Sequence, residues 1–270
     1  MIEETAIESA EASEIEPYRT MRRPLDHVTR GIFVAEGGFV VERLLASGLV
    51  VDSVLASEAW CQRLRPALVA RPLATRVFIA QQHVLEEIVG FRLHQGVMAI
   101  GRVPHPEPLP DILARSRGPW LLVALDGVTN PENLGIIVRT CAAFGATAMI
   151  VGETGASPWL RRAVRNSMGT VFSLPVVHTD DLAAAIRQLR SGGVTVVGAH
   201  PRAEGKAVAS VDATQDCCVV FGSEGDGISD QVREACDILV AVPMRRNVDS
   251  LNVASAAAVF LYEIDRQRRR

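Results

Sequence analysis

The chain has 270 residues, 48% hydrophobic and 22% charged, enough to bury a substantial core in one large or two modest domains. No apolar run approaches the roughly 20 residues that span a bilayer, and the acidic N-terminus lacks the basic-then-apolar pattern of a secretion signal, so a cytoplasmic protein with no membrane partner is expected. The net charge of −3 is unevenly placed: residues 1–16 hold six glutamates and no basic residue, and the remainder is net basic, almost wholly through arginine.

In chain order, residues 1–17 read as a disordered acidic tail, with no apolar periodicity and no aromatic before Tyr18. An α/β alternation starts near Gly31. Residues 38–48 fit an amphipathic helix, 49–56 a strand, 58–70 a helix, 75–80 a strand, 81–90 a helix and 96–101 a strand, which makes 18–101 a first domain. Prolines at 104, 106, 108 and 110 make 102–117 a stiff linker. A second domain, 118–270, alternates more cleanly. Its apolar runs at 120–126, 146–152, 194–200, 218–222 and 238–243 suit strands buried on both faces of a parallel sheet. Helical patterns fill 133–145, 158–169, 180–193 and 229–237, and a last helix starts near Asn252. The five cysteines, odd in number and with Cys217 beside Cys218, give neither a disulfide framework nor a metal site, and no metal is expected.

Ligands of open α/β sheets bind beyond the carboxyl ends of the strands, and three polar clusters lie there. In the first, Asn130-Pro131 turns the chain after Asp126, and Asn133 is placed to cap the helix that carries Arg139 among apolar neighbours. An arginine so placed needs either a structural carboxylate such as Asp126 or a ligand. The second cluster, Gly222-Ser223-Glu224-Gly225-Asp226-Gly227, lacks the phosphate-loop patterns, and its two carboxylates would repel an anion; a neutral or cationic ligand suits it better than a phosphate, and taken alone it reads first as an ordinary βα turn. The third crowds Arg245, Arg246, Asn247, Asp249, Ser250 and Asn252 into one turn before the last helix, where Ser250 or Asn252 suffices as cap.

Together the clusters resemble the three motifs of the SpoU/TrmH family of RNA 2′-O-ribose methyltransferases, in the SPOUT superfamily. Asn133, Gly135 and Arg139 match the first, Gly222, Glu224, Gly225 and Gly227 the second, and Pro243, Met244, Ser250, Leu251 and Asn252 the third; residues 166–177 resemble the segment between motifs. The first half resembles the small ribosomal-protein-like α/β/α sandwich that often precedes this catalytic domain and grips RNA.

The resemblance implies an α/β fold whose C-terminal domain, built on a mostly parallel sheet, is closed by a deep trefoil knot. It implies S-adenosylmethionine as methyl donor, an RNA substrate (rRNA before tRNA) and a homodimer. Carried over by position, Ala199, His200, Gly222, Ser223, Gly225, Val242, Pro243, Met244, Leu251 and Asn252 would surround the cofactor. Arg139, Asn133, Glu224, Ser250 and Asn252 would serve the reaction. With a pKa above about 12, a guanidinium suits clamping a phosphate and stabilising an alkoxide better than it suits a base. The Arg161/Arg162/Arg165 face would track RNA. A small-molecule enzyme with a nucleotide site and a non-catalytic RNA-binding protein of the same fold are the alternatives.

Overall fold

Two sheets emerge from the apolar runs in a computed structural model that describes residues 2–90, 96–201, 203, 206–245 and 248–269, the side chains of 24 and 25 excepted. In chain order the elements are β1 (Ile2–Ile7), α1 (Glu16–Arg19), α2 (Pro24–Thr29), β2 (Ile32–Glu36), α3 (Gly38–Ala46), β3 (Val51–Ala56), α4 (Glu58–Val69), β4 (Thr75–Ala80), α5 (Gln82–Val89) and β5 (Val97–Arg102). There follow α6 (Leu109–Arg115), β6 (Leu121–Asp126), α7 (Pro131–Ala143), β7 (Ala148–Val151), α8 (Arg161–Asn166), β8 (Val176–His178) and α9 (Leu182–Ser191). The chain ends with β9 (Thr195–Ala199), β10 (Cys217–Gly222), α10 (Asp230–Ala235), β11 (Ile238–Val240) and α11 (Val253–Arg268).

One compact unit comprises Met1–His105 and Trp159–Phe172. Its sheet runs β1-β4-β3-β5-β2, parallel from β1 to β3 and antiparallel beyond. Residues 1–17 are not the disordered tail that their charge suggests. Strand β1 pairs with β4 from Ile2↔Thr75 to Ile7↔Ala80, and Ile7, Ala10, Ile15 and Tyr18 are buried in the core. The glutamates fit because they sit on an edge strand whose outer face meets water and Arg65, which bonds Glu4 at 2.6 Å. On the arginine face at 161–165, Arg161 and Arg165 both bond the buried carboxylate of Glu36 on β2; Arg161 is mostly buried, whereas the Arg165 side chain stays exposed. Phe33 stacks between Trp159 and Phe172 at centroid distances of 5.0 and 5.5 Å, which joins this late segment to the first unit's sheet.

The other unit comprises Pro106–Pro158 and Ser173–Arg270, around an all-parallel sheet ordered β11-β9-β10-β6-β7-β8. Strands β6 and β10 are buried at every residue, as their unbroken apolar runs require. The proline-rich stretch is more than a linker. Pro110 lies in the first turn of α6, where it costs no hydrogen bond, and Ile112 anchors that helix in the core. Strand order reverses between β10 and β6, so the carboxyl ends of β6, β9, β10 and β11 gather at one edge of the sheet.

Candidate active site

The loop after β10 is a tight turn closed from both sides. Ser223 N–H donates to Gly227 O at 3.0 Å, Gly227 N–H returns to Ser223 O at 3.1 Å, and Asp226 N–H reaches the Ser223 hydroxyl at 3.1 Å. Two glycines are obligatory. A Cβ on Gly222 would lie 2.0 Å from the carbonyl carbon of Gly227, and Gly227 itself sits at φ +75°. Asp126, at the end of β6, accepts from Ser229 N–H at 2.7 Å and fixes where the loop leaves the sheet. Arg139 makes no bond to it among the described residues.

Asn130, rather than Asn133, caps α7: its side-chain oxygen accepts from Glu132 N–H at 2.8 Å and Asn133 N–H at 3.3 Å, with Pro131 in the first turn. That leaves the Asn133 amide free for tertiary bonds. Its nitrogen donates to a Glu224 carboxylate oxygen, and its oxygen accepts from the Asn252 side chain at 3.1 Å. Asn252 in turn caps α11, accepting from Ala254 N–H at 3.0 Å and Ser255 N–H at 3.3 Å. One hydrogen-bonded line thus ties the loop after β6, the glycine loop and the start of the last helix, three segments more than 90 and 25 residues apart in sequence.

Beside this line lies a cavity of about 380 Å³. Ala199, His200, Gly222, Ser223, Glu224, Gly225, Val242, Met244, Ser250, Leu251 and Asn252, all singled out in the sequence, line it; Pro243 does not and instead borders a neighbouring cavity. Phe260 of α11 closes the floor, edge-on to Phe221 at 5.5 Å. Phe260 and Ala256 carry no sequence signal of their own, because their helical apolar pattern looks like any core face. The volume lies in the roughly 300–1,000 Å³ range of small-molecule sites. The walls also fit an adenosyl group with a cationic sulfonium: apolar side chains, two carboxylates in the loop, and main-chain groups of Val242, Met244 and Leu251 that form no hydrogen bond among the described residues.

Arg139 stands apart. It is exposed rather than buried, has no hydrogen bond or ion pair among the described residues, and does not line the cavity. Six residues beyond Asn133, it lies roughly 9 Å further along α7 and about a third of a turn round from it. It shares an exposed stripe with Ile136. Ser250 lies at the cavity wall, its hydroxyl unbonded among the described residues, whereas Arg246 and Asn247 of the same turn lie outside the described residues. Arg268 in the last turn of α11 is spent on carbonyls: Ala213, Pro119, Trp120 and Gln215 accept from it at 2.6–3.0 Å. No group of three or more histidine, cysteine or carboxylate side chains among the described residues is arranged to hold a metal.

Residues 120–262, more than half the chain, match the model of the SpoU rRNA Methylase family. The chain belongs to the SpoU rRNA methylase family. It is 32% identical over 247 residues to an uncharacterized tRNA/rRNA methyltransferase of Mycobacterium tuberculosis, covering 90% of this chain and 83% of that one. A second M. tuberculosis tRNA/rRNA methyltransferase is 39% identical over 189 residues, 69% of this chain; the match spans 58% of that relative's length. Among solved structures, the AdoMet-bound rRNA methyltransferase of Sinorhizobium meliloti superposes with a TM-score of 0.84 at 27% identity, over 97% of this chain and 98% of that one. The SpoU methyltransferase AviRb of Streptomyces viridochromogenes, in complex with AdoMet, gives 0.80 at 26% identity, over 96% and 99%. This SpoU-family chain is an RNA methyltransferase, built on the α/β fold of those structures.

Proposed function

We propose that this SpoU-family chain methylates a ribose 2′-hydroxyl of RNA, ribosomal RNA by preference, as a cytoplasmic homodimer. The methyl donor is S-adenosylmethionine, which supplies an already activated methyl on a cationic sulfur. What remains for the chain is to hold that cation, to seat the ribose in line with it and to handle one proton. The observation that carries the reading is the line Glu224–Asn133–Asn252 along the cavity. It supports the reading because it holds a carboxylate at the cavity, as a cationic sulfonium would require, and ties together both loops that would clasp the adenosyl group. The passage through Val242, Pro243 and Met244, and Leu251 beyond it, would belong to the last pass of the family's knot.

Ser250, unspent at the cavity wall, orients the ribose. Arg139 clamps the adjoining phosphate and stabilises the developing alkoxide. Because Arg139 does not line the cavity of its own chain, it serves the cavity of a second copy. Support for that copy comes from the exposed apolar stripes beside it: Ile136 on α7, and Val259 and Tyr262 on α11, helices that pack against each other.

The test is methyl transfer from labelled S-adenosylmethionine to ribosomal RNA lacking the modification, followed by digestion to nucleosides. Label in 2′-O-methylnucleosides is expected, and label in a methylated base would overturn the reading. Arg139→Ala should lose at least a hundredfold in kcat with cofactor affinity unchanged. Arg139→Lys should recover little, since a point charge does not replace a bidentate fork.

A further inference from the structure

The first unit holds a second cavity, of about 310 Å³, that no part of the methyl-transfer reading uses. Its floor is one face of the sheet. Arg76 on β4 pairs with Ser53 on β3, Ser53 pairs with Ile100 on β5, and two residues on from Ile100, Arg102 pairs with Ile32 on β2. Cross-strand partners and alternate residues share a face, so these side chains project together. Arg30, just before β2, adds a third guanidinium, and Glu14 and Pro17 of the N-terminal segment form the opposite wall.

A β-bulge shapes the site. Val51 pairs with Gly101 and Ser53 with Ile100, so Asp52 is the extra residue on β3. The bulge turns its carboxylate towards Arg102, where both oxygens meet Nε, at 3.0 and 2.8 Å. Arg102 is thereby oriented through one nitrogen, and its two terminal amino groups make no bond among the described residues. Arg30 is likewise held through one nitrogen, by Glu16 at 2.5 Å. Arg76 has no hydrogen bond or ion pair among the described residues; its guanidinium lies over the face of Phe78, 5.8 Å from the ring centroid. Of the acceptors, Asp52 and Glu16 are engaged by arginine, and Glu14 at the rim is bonded by Ser13 at 3.1 Å. The inventory is lopsided: guanidinium N–H donors outnumber the acceptors offered to them.

We infer that this cavity is a phosphate-binding subsite, with Arg76 as its principal ligand and Arg102 and Arg30 as supports, and that the phosphate belongs to the RNA chain. A phosphodiester is acceptor-rich, carries the single charge that Arg76 leaves unmatched, and accepts the bidentate fork that a guanidinium presents. The inference rests on the RNA reading above and adds where the first unit holds its substrate.

The experiment is filter binding of fluorescein-labelled total ribosomal RNA to the full chain between 50 and 200 mM salt, with calorimetry of S-adenosylmethionine as a control. Arg76→Ala should weaken RNA binding about five- to tenfold at 100 mM salt and reduce the slope of log K against log salt by roughly 0.7–0.9, as for one lost phosphate contact. Cofactor affinity and unfolding temperature should stay at wild-type values, because Arg76 is exposed and lies outside the methyl-transfer site. Arg76→Lys should restore most of the slope and only part of the affinity. Wild-type binding with an unchanged slope in Arg76→Ala would overturn the subsite alone. Failure of the wild type to retain RNA would overturn the RNA reading and the subsite with it. Thermal protection by 10 mM inorganic phosphate that Arg76→Ala abolishes, with RNA binding unmoved, would overturn the RNA source in favour of free phosphate.

Discussion

Asn133 is the residue on which the three motifs converge, and its amide has a direction. The nitrogen faces a carboxylate and the oxygen faces another amide nitrogen, so neither end tolerates exchange. Asn133→Asp keeps the acceptor for Asn252 but sets two carboxylates against each other at Glu224. Cofactor affinity should fall tenfold or more at neutral pH. Glu224→Gln alone keeps an acceptor, because the glutamine amide oxygen can still take the Asn133 N–H, and it should cost less than Asn133→Asp. The double variant restores a donor opposite an acceptor with the polarity reversed. A double-mutant cycle on cofactor binding should therefore give a coupling of about 0.5–3 kcal/mol, favouring the double variant. Additive losses would show that the line is a crystal of convenience between groups that act separately. Arg139 teaches the converse lesson: apolar neighbours in sequence suggested burial, yet Ile136 and Ala143 lie on its own exposed stripe, and only the fold shows which face of α7 is covered.

At the scale of elements, α11 is held at both ends by side chains rather than by a loop. Asn252 caps its start, and Arg268 in its last turn donates to carbonyls that precede β6 and β10. The helix dipole favours a cation there, and the carbonyl cage adds hydrogen bonds to a charged donor. Arg268→Ala should cost about 2–3 kcal/mol in chemical unfolding of the full chain. Arg268→Lys should recover less than half, since one ammonium cannot span the acceptors that the guanidinium reaches; an unchanged midpoint for Arg268→Ala would refute the latch. Elements with continuous apolar runs were legible in the sequence: β6, β10, α7 and α9 fall where periodicity places them. The others were hidden for physical reasons. Strand β1 alternates only weakly, its single inward anchor being Ile7, and its pairing with β4 lies some 70 residues away. Helix α6 hides behind prolines that its first turn accepts, and β8 has only three residues.

At the scale of the whole molecule, the cavity was legible as chemistry and Arg139 as a requirement, but no periodicity reveals that the two lie apart in one chain. On the proposed reading, that separation ties methyl transfer to a second copy of the chain. Ile136, Val259 and Tyr262, at 41%, 38% and 57% exposure, form an apolar face beside Arg139 that a second copy would cover. Ile136→Glu with Tyr262→Glu should therefore give a monomer in light scattering that has lost methyl transfer. A sharper test separates trans from cis. An Arg139→Ala chain keeps its cavity and lacks the guanidinium; a Gly222→Ala chain keeps Arg139, but its Cβ would collide with Gly227 and close the cofactor loop. Each alone should be inactive. If Arg139 acts across the interface, equal mixing and subunit exchange yield half heterodimers, each with one complete site, and about a quarter of wild-type activity returns. If Arg139 served its own chain, every site in the mixture would lack either the guanidinium or the cavity, and no activity would return at any mixing ratio.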